Sequence, residues 1–351
     1  MGGQFKSFGP ANADYLNMAE VQEIAGYQVM ATLGTGAGST IYAVRDRFSH
    51  VFALKRVVKS SSHDQRYIDQ AVHEHEVASR FTSSLLRRSF KLIRQRNFIR
   101  TNEVLVLLEM VDGQTLEQHQ PETLIEACEI CRLAALGLGQ LHVIGYVHAD
   151  IKPNNIIVSD RNQIKIIDFG QSCRTGTIKQ RIQGTPDYIA PEQVLRRQIT
   201  PMTDIFNLGA TMYWLFTKRH VPTLIPKGQT GMQLRSEDQM CRPPIELNQD
   251  VPPALSTLVM DCLEQEPLKR PRSTAQLADR LEIASAQLTR KNSAVEITTN
   301  LDISEESEID LNEESTLHGH FEIDDYVDMD AQADVDIDEI TNLDIDEDLD
   351  K

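Results

Sequence analysis

Apolar and polar positions over residues 27–58 follow a strand pattern: one run, a turn rich in glycine, a second run through Thr40-Ile41-Tyr42-Ala43-Val44, then Val51-Phe52-Ala53-Leu54. From 64 to 81 the chain is mostly polar with spaced apolar residues, which predicts a helix partly exposed to solvent. Two further strands are predicted at 90–94 and 104–108. After Gly113 the pattern turns helical over 124–142, passes a loop with short apolar runs at 156–158 and 164–167, and is mainly helical beyond Pro191. This succession predicts an α+β, bilobal architecture, with a small β-rich lobe over about 26–109 and a larger helical lobe over about 114–288. Residues 1–25 carry little pattern and read as a lead-in segment.

Charge changes this picture. The 351 residues carry a formal charge of −17, yet 22 of the Asp and Glu residues fall within 293–351, against one Lys. The rest of the chain holds 34 basic and 30 acidic residues, so a mildly basic body bears a strongly acidic extension. Such a run repels itself, and 293–351 is expected to be a disordered tail. Within it Glu296-Ile297-Thr298-Thr299-Asn300-Leu301-Asp302-Ile303 returns as Glu339-Ile340-Thr341-Asn342-Leu343-Asp344-Ile345. Two copies are too few for a solenoid; they read as a duplicated spacer or as a bivalent docking motif for a partner.

Five cysteines without framework spacing point to a reducing compartment, with the cytoplasm as the expected location. Cys128 and Cys131 form a C-x-x-C, but no second pair or spaced histidines complete a zinc site, so they read as buried helical cysteines. No apolar run reaches the ~18 residues that span a bilayer, and the start lacks a signal-peptide core. Its first residues resemble a myristoylation signal, except that Lys6 stands where Ser or Thr is wanted. No nucleic-acid partner is expected.

The candidate chemistry begins in the turn Leu33-Gly34-Thr35-Gly36-Ala37-Gly38-Ser39-Thr40-Ile41-Tyr42. Glycines let backbone N–H groups approach anionic phosphates with no side chain in the way. A dinucleotide-binding turn would open a helix, whereas strand-like residues follow here. Phe52-Ala53-Leu54-Lys55-Arg56-Val57 then places a lysine inside an apolar strand, where an ammonium is costly unless paired. Glu74 in the predicted helix is the expected partner, ahead of Glu76. Further on stand Val147-His148-Ala149-Asp150-Ile151-Lys152-Pro153-Asn154-Asn155, Ile167-Asp168-Phe169-Gly170, and Gly184-Thr185-Pro186-Asp187-Tyr188-Ile189-Ala190-Pro191-Glu192.

In these motifs, their order and their spacing, residues 27–281 resemble a eukaryotic-type protein kinase of the Ser/Thr class, with a leaning toward the bacterial Ser/Thr kinases. The resemblance implies the bilobal kinase fold and transfer of the γ-phosphate of ATP to Ser/Thr hydroxyls of protein substrates, with Mg²⁺, or Mn²⁺, as the metal. Asp150 would orient or accept the proton of the substrate hydroxyl, and Lys152 would neutralise charge on the γ-phosphate. Lys55, fixed by Glu74, would contact the α and β phosphates, while Asn155 and Asp168 would hold the metal. The adenine would sit under Leu33, Ile41 and Ala53, with Leu108 as gatekeeper and the backbone of Glu109 to Val111 offering hydrogen bonds. Gly34, Thr35, Gly36, Ala37, Gly38 and Ser39 would cover the phosphates. Asp204 would brace the catalytic loop, and Arg270 would pair with Glu192.

Three features depart from the family pattern. Ser39 occupies the third glycine position, with Gly38 just before it. Ala149 replaces the arginine that most members carry before the catalytic aspartate, so activity without phosphorylation of the activation loop is expected. Thr115 and Asn154 stand where arginine-directed kinases often hold carboxylates, which gives no support to a basophilic preference. Two rival readings are a pseudokinase scaffold acting through its tail and a small-molecule kinase on a related fold. The complete set of Lys55, Asp150, Asn155 and Asp168 argues against the first, and Ala190-Pro191-Glu192 against the second.

Overall fold

A computed structural model describes residues 22–36, 38–61, 64–97, 100–159, 163–222 and 241–306. Six strands form one antiparallel sheet: β1 (Glu23–Ile24), β2 (Tyr27–Gly36), β3 (Ser39–Arg45), β4 (Val51–Val58), β5 (Ser89–Asn97) and β6 (Arg100–Glu109), in the order β1-β2-β3-β4-β6-β5. Alternation sorts β4 between two apolar layers. Leu54 packs with Val44, Leu105 and Leu107 on one face, whereas Ala53 and Val57 pack with Ile68, Ala71, Val104, Val106 and Leu108 on the other. The second face is covered by helix α1 (Gln65–Ala78), whose buried residues Ile68, Ala71, Glu74, Val77 and Ala78 recur at helical spacing. The helix stops three residues short of the predicted end. Phe81 instead turns inward, its ring centroid 4.6 Å from that of Phe169.

The second half is helical around one large core. Helix α2 (Leu124–Val143) starts at Thr123, whose side chain accepts from the Glu126 backbone N–H as an N-cap. Between α2 and the next long helix lie the small strands β8 (Tyr146–Val147), β9 (Ile156–Val158), β10 (Ile164–Ile166) and β11 (Cys173–Arg174), with β7 (Gln114–Thr115) preceding α2. β10, β9 and β7 form one small sheet, and β11 pairs with β8. These ribbons frame the loops that carry Asp150 and Asp168. After the short helix α3 (Pro191–Val194), α4 (Pro201–Thr217) is buried almost all round, as expected of a helix at the centre of a lobe. Helices α5 (Pro244–Leu247), α6 (Pro253–Cys262) and α7 (Thr274–Glu306) complete the order. Gly209 lets α4 approach α6 closely, since a Cβ there would lie 2.6 Å from Cys262 Cβ.

Cys128 and Cys131 are buried on α2, and burial pushes the Cys128 thiol up to about 12 and that of Cys131 well above its ordinary value. Among the described residues no trio of His, Cys, Asp or Glu is placed to hold a metal, and no helix is long and apolar enough to cross a membrane. The expected tail boundary at Ser293 falls inside α7, which runs on to Glu306. Residues 1–21 and 307–351, with most of the lead-in segment and the second copy of the repeat, lie outside the described residues.

Candidate active site

Lys55 enters an otherwise apolar face of β4, and its charge is met at once. Its Nζ donates to Glu74 Oε2 at 2.6 Å and lies 3.6 Å from Asp168 Oδ1. Glu74 is fully buried on the inward face of α1, while Glu76 is exposed. Burial alone would push Lys55 down, but the carboxylates of Glu74 and Asp168 outweigh it and hold the amine protonated. For Asp168 the Lys55 ammonium outweighs burial, with Arg87 adding to it, and the carboxyl is held at about 2. Arg87 also reaches Glu74, its Nη2 lying 3.2 Å from Oε1. Asp168 itself takes a left-handed backbone with φ 63°, and Phe169 after it packs against Phe81 and His148.

The glycine turn joins β2 to β3. Gly38 has φ 79°, and a Cβ there would come within 2.5 Å of the Tyr67 ring on α1, so the glycine belongs at 38 and Ser39 opens β3 opposite Gly36. Ala37 lies outside the described residues.

The loop that carries Asp150 hangs on one buried carboxylate. Asp204, in the first turn of α4, accepts from the backbone N–H groups of His148 (2.9 Å) and Ala149 (2.8 Å) and pairs with His142 Nε2 at 2.8 Å. Ala149 has φ 60°, a conformation that costs roughly 1–2 kcal/mol for a residue with a Cβ and here is held by Asp204 on its N–H and Gln193 on its carbonyl. His148 Nδ1 lies 3.3 Å from the Asp150 N–H and Nε2 lies 3.1 Å from the Ile167 carbonyl, which assigns the ring proton to Nε2. Asp150 is thereby aimed at Thr185 Oγ1 (3.1 Å) and Lys152 Nζ (3.1 Å), and Lys152 also donates to Thr185 at 2.8 Å. Asn155 donates its amide to the Asp150 carbonyl at 2.8 Å, leaving its own oxygen for another partner.

Between the lobes these groups meet in one cavity of about 540 Å³, lined by Gly34, Thr35, Gly36, Ser39 and Ile41 above and by Lys152, Asn155 and Asp168 below, with Lys55 and Arg87 at its back. Beside it is a recess lined by Leu33, Ile41, Ala53, Glu109, Met110 and Val111. The Glu109 carboxylate turns away to Lys165 Nζ at 2.7 Å and the Arg88 N–H at 3.1 Å. Leu108 is fully buried opposite Ala53 and does not line the recess, whose wall includes Arg87. Gly38 lines an outer depression with Thr40 and Tyr42 that shares Thr35, Gly36 and Ser39 with the cavity. The donor set suits Mg²⁺: one carboxylate and one amide oxygen are hard ligands, and this ion commonly takes one or two protein ligands and completes its shell with phosphate and water.

A protein kinase domain model matches residues 27–281, most of the chain. This chain belongs to the protein kinase family. Members of the family use ATP with a divalent metal. A probable serine/threonine-protein kinase of Clostridium acetobutylicum is 27% identical over 285 residues, covering 79% of this chain and 42% of that one. The serine/threonine-protein kinase PknA of Mycobacterium tuberculosis is 26% identical over 266 residues, 72% of this chain and 60% of its own length. The death-associated protein kinase dapk-1 of Caenorhabditis elegans is 31% identical over 204 residues, 54% of this chain and 14% of that one. This chain thus spans about two-fifths to three-fifths of the length of the two bacterial relatives.

Within the kinase fold, two supports named from the sequence are present. Arg270 makes a two-pronged contact with Glu192, 2.8 and 2.9 Å, and Asp204 carries the catalytic loop. Sequence reasoning missed Gln193, whose amide bonds the Ala149 carbonyl while its oxygen accepts from Asn207, and it missed Arg87 entirely. In the segment after Asp168, Ser172 is buried and donates to the Phe169 carbonyl at 2.6 Å, whereas Thr175 is exposed.

Proposed function

We propose that this chain is a protein serine/threonine kinase that transfers the γ-phosphoryl group of ATP to Ser and Thr hydroxyls of proteins, with Asp150, Lys152, Lys55 and Glu74 as its working side chains. The observation that carries the reading is the meeting of Lys55, Lys152, Asn155 and Asp168 in one cavity under the glycine turn, with Asp150 hydrogen-bonded to its floor. Lys55, held by Glu74, binds and orients the α and β phosphates. Asp150 receives the proton of the acceptor hydroxyl as that oxygen bonds to the γ-phosphorus and the bond from phosphorus to the β-phosphate oxygen breaks. Lys152 offsets charge on the transferring group, and Thr185 keeps Asp150 and Lys152 in register. Mg²⁺, held by Asp168 and Asn155, supplies neutralisation of phosphate charge when bound. The names of the bacterial relatives support the Ser/Thr acceptor class.

The chain does this without a phosphate on its activation segment. Ala149 leaves no arginine to gather one, and the segment is already tied down: β11 pairs with β8, Gly176 N–H donates to the Ile199 carbonyl at 2.7 Å, and Ile199 N–H donates to Thr177 at 2.9 Å. Lys179, within the segment, helps to fix it by donating to the Gln171 carbonyl at 2.5 Å.

The acceptor class is tested by incubating the protein with labelled ATP, Mg²⁺ and a panel of Ser/Thr proteins, tyrosine peptides and small alcohols. Label on phosphoserine and phosphothreonine is the expected result. Label confined to small molecules or tyrosine would replace the proposed substrate class. Protein freed of phosphate by phosphatase is expected to keep its activity, and recovery that requires phosphorylation at Thr175 or Thr177 would overturn the claim of independence.

A further inference from the structure

Arg87 is a buried cation that the proposed reaction does not use. It is 6% exposed and sits between Leu86 and β5. Its backbone N–H donates to the Ile166 carbonyl at 2.9 Å, and Leu86 bridges the same residue, so its main chain is tied to β10 just ahead of Asp168. From there the guanidinium crosses to α1. Each oxygen of the fully buried Glu74 therefore has its own cation from a different element: Oε2 has Lys55 at 2.6 Å and Oε1 has Arg87 at 3.2 Å.

Packing does not account for this residue. Arg87 Nε finds no hydrogen-bond partner among the described residues, and a buried donor left unsatisfied destabilises the fold. An aliphatic side chain would fill the same volume without that penalty. What the guanidinium provides is charge. Two carboxylates, Glu74 and Asp168, compete for Lys55 at 2.6 and 3.6 Å. With Arg87 present the group holds two anions and two cations. Without it, Lys55 alone faces both carboxylates, and Glu74 loses the partner of one buried oxygen, the situation in which a buried carboxylate is most costly.

We propose that Arg87 is a positioning residue: a second clamp on Glu74 that holds this carboxylate and its helix against the cleft before nucleotide arrives, and so keeps Lys55 on Glu74. This rests on the kinase reading of the cleft. Arg87 acts through Glu74, and α1 then needs no charge from the activation segment to stay inward.

The test uses the full chain and five proteins: wild type, Arg87→Lys, Arg87→Met, Glu74→Gln and the double variant Arg87→Met with Glu74→Gln. Two readouts are taken: amide hydrogen exchange across α1 without nucleotide, and kcat and KM for ATP. Arg87→Met is expected to speed α1 exchange and to lower kcat about tenfold or more, with KM for ATP within about threefold, and Arg87→Lys to retain most of both. On the Glu74→Gln background, adding Arg87→Met is expected to change either readout by less than about twofold, because the partner is already gone. Wild-type exchange and kcat in Arg87→Met, or losses that multiply in full with Glu74→Gln, would overturn the proposal. If Arg87→Met unfolds, Arg87→Gln, which keeps a donor but no charge, takes its place under the same criteria. A wild-type chain that transfers no phosphate would sink the kinase reading alone, since the exchange readout still decides the role of Arg87.

Discussion

The two sides of the cleft hold their charges by different means. On the small-lobe side Glu74, Lys55 and Arg87 come from three separate segments, are fixed to one another by side chains and reach Asp168 of the large lobe through Lys55. On the large-lobe side Asp150 belongs to a loop whose backbone is bonded to a single buried carboxylate, Asp204, rooted in the central helix. The first arrangement depends on where α1 sits and so can be adjusted; the second is part of the core and can be lost only with it. On the proposed reading, this division lets α1 be positioned while Asp150 stays ready as the base.

The strongest way to break the comparison is Asp204→Ala. It leaves two buried N–H groups unpartnered and removes one of the two supports of the left-handed Ala149, so a loss of about 3–5 kcal/mol in denaturant unfolding is expected together with loss of transfer. Arg270→Leu strands the buried Glu192 carboxylate and should cost a similar, slightly smaller amount, about 3 kcal/mol, by the same measurement. Glu74→Gln sharpens the contrast from the other side: turnover is expected to fall about 100-fold while unfolding shifts by about 1–2 kcal/mol, less than in Asp204→Ala, because Lys55 is left with Asp168 and the amide oxygen still accepts from Arg87. An equal stability loss in Glu74→Gln and Asp204→Ala would erase the distinction.

Smaller effects probe the surroundings. Alkylation near pH 8 is expected to spare Cys128, whose thiol burial holds at about 12, and Cys131, held well above its ordinary value, and to reach the half-buried Cys241 first, as mass spectrometry of the native protein would reveal. Asp168 gives the smallest effect. Its folded carboxyl lies near 2 against an ordinary 3.8, so its charge stabilises the fold above that ordinary value, and this contribution fades as pH falls from 3.8 through about 2. The stability gap between wild type and Asp168→Asn should therefore narrow over that window. The side chain is 43% exposed, which keeps the gap small.

Much of the site was legible because its residues violate a local pattern. A lysine in an apolar strand demanded a buried anion, and the helical spacing Ile68, Ala71, Glu74, Val77 selects Glu74 over the exposed Glu76. Gly38 was visible as an oddity, but its reason, the Tyr67 ring beside it, is a tertiary contact that no local pattern contains. Arg87 was invisible for the same reason. In Leu85-Leu86-Arg87-Arg88 either arginine reads as a polar break between elements, and only the bridge from Leu86 to Ile166 decides that the first of them goes inward. Ala149 was read as a missing side chain, whereas its backbone conformation, set by Asp204 and Gln193, is what positions the next residue.

The central claim is met most directly by measuring, on one preparation, Mg²⁺–ATP binding by calorimetry and γ-phosphate transfer to a Ser/Thr substrate, for wild type and for Asp150→Asn. The account predicts equal nucleotide affinity in the two proteins and transfer in wild type reduced at least about 100-fold in the variant. Binding without transfer in wild type, or transfer that survives in Asp150→Asn, would contradict it.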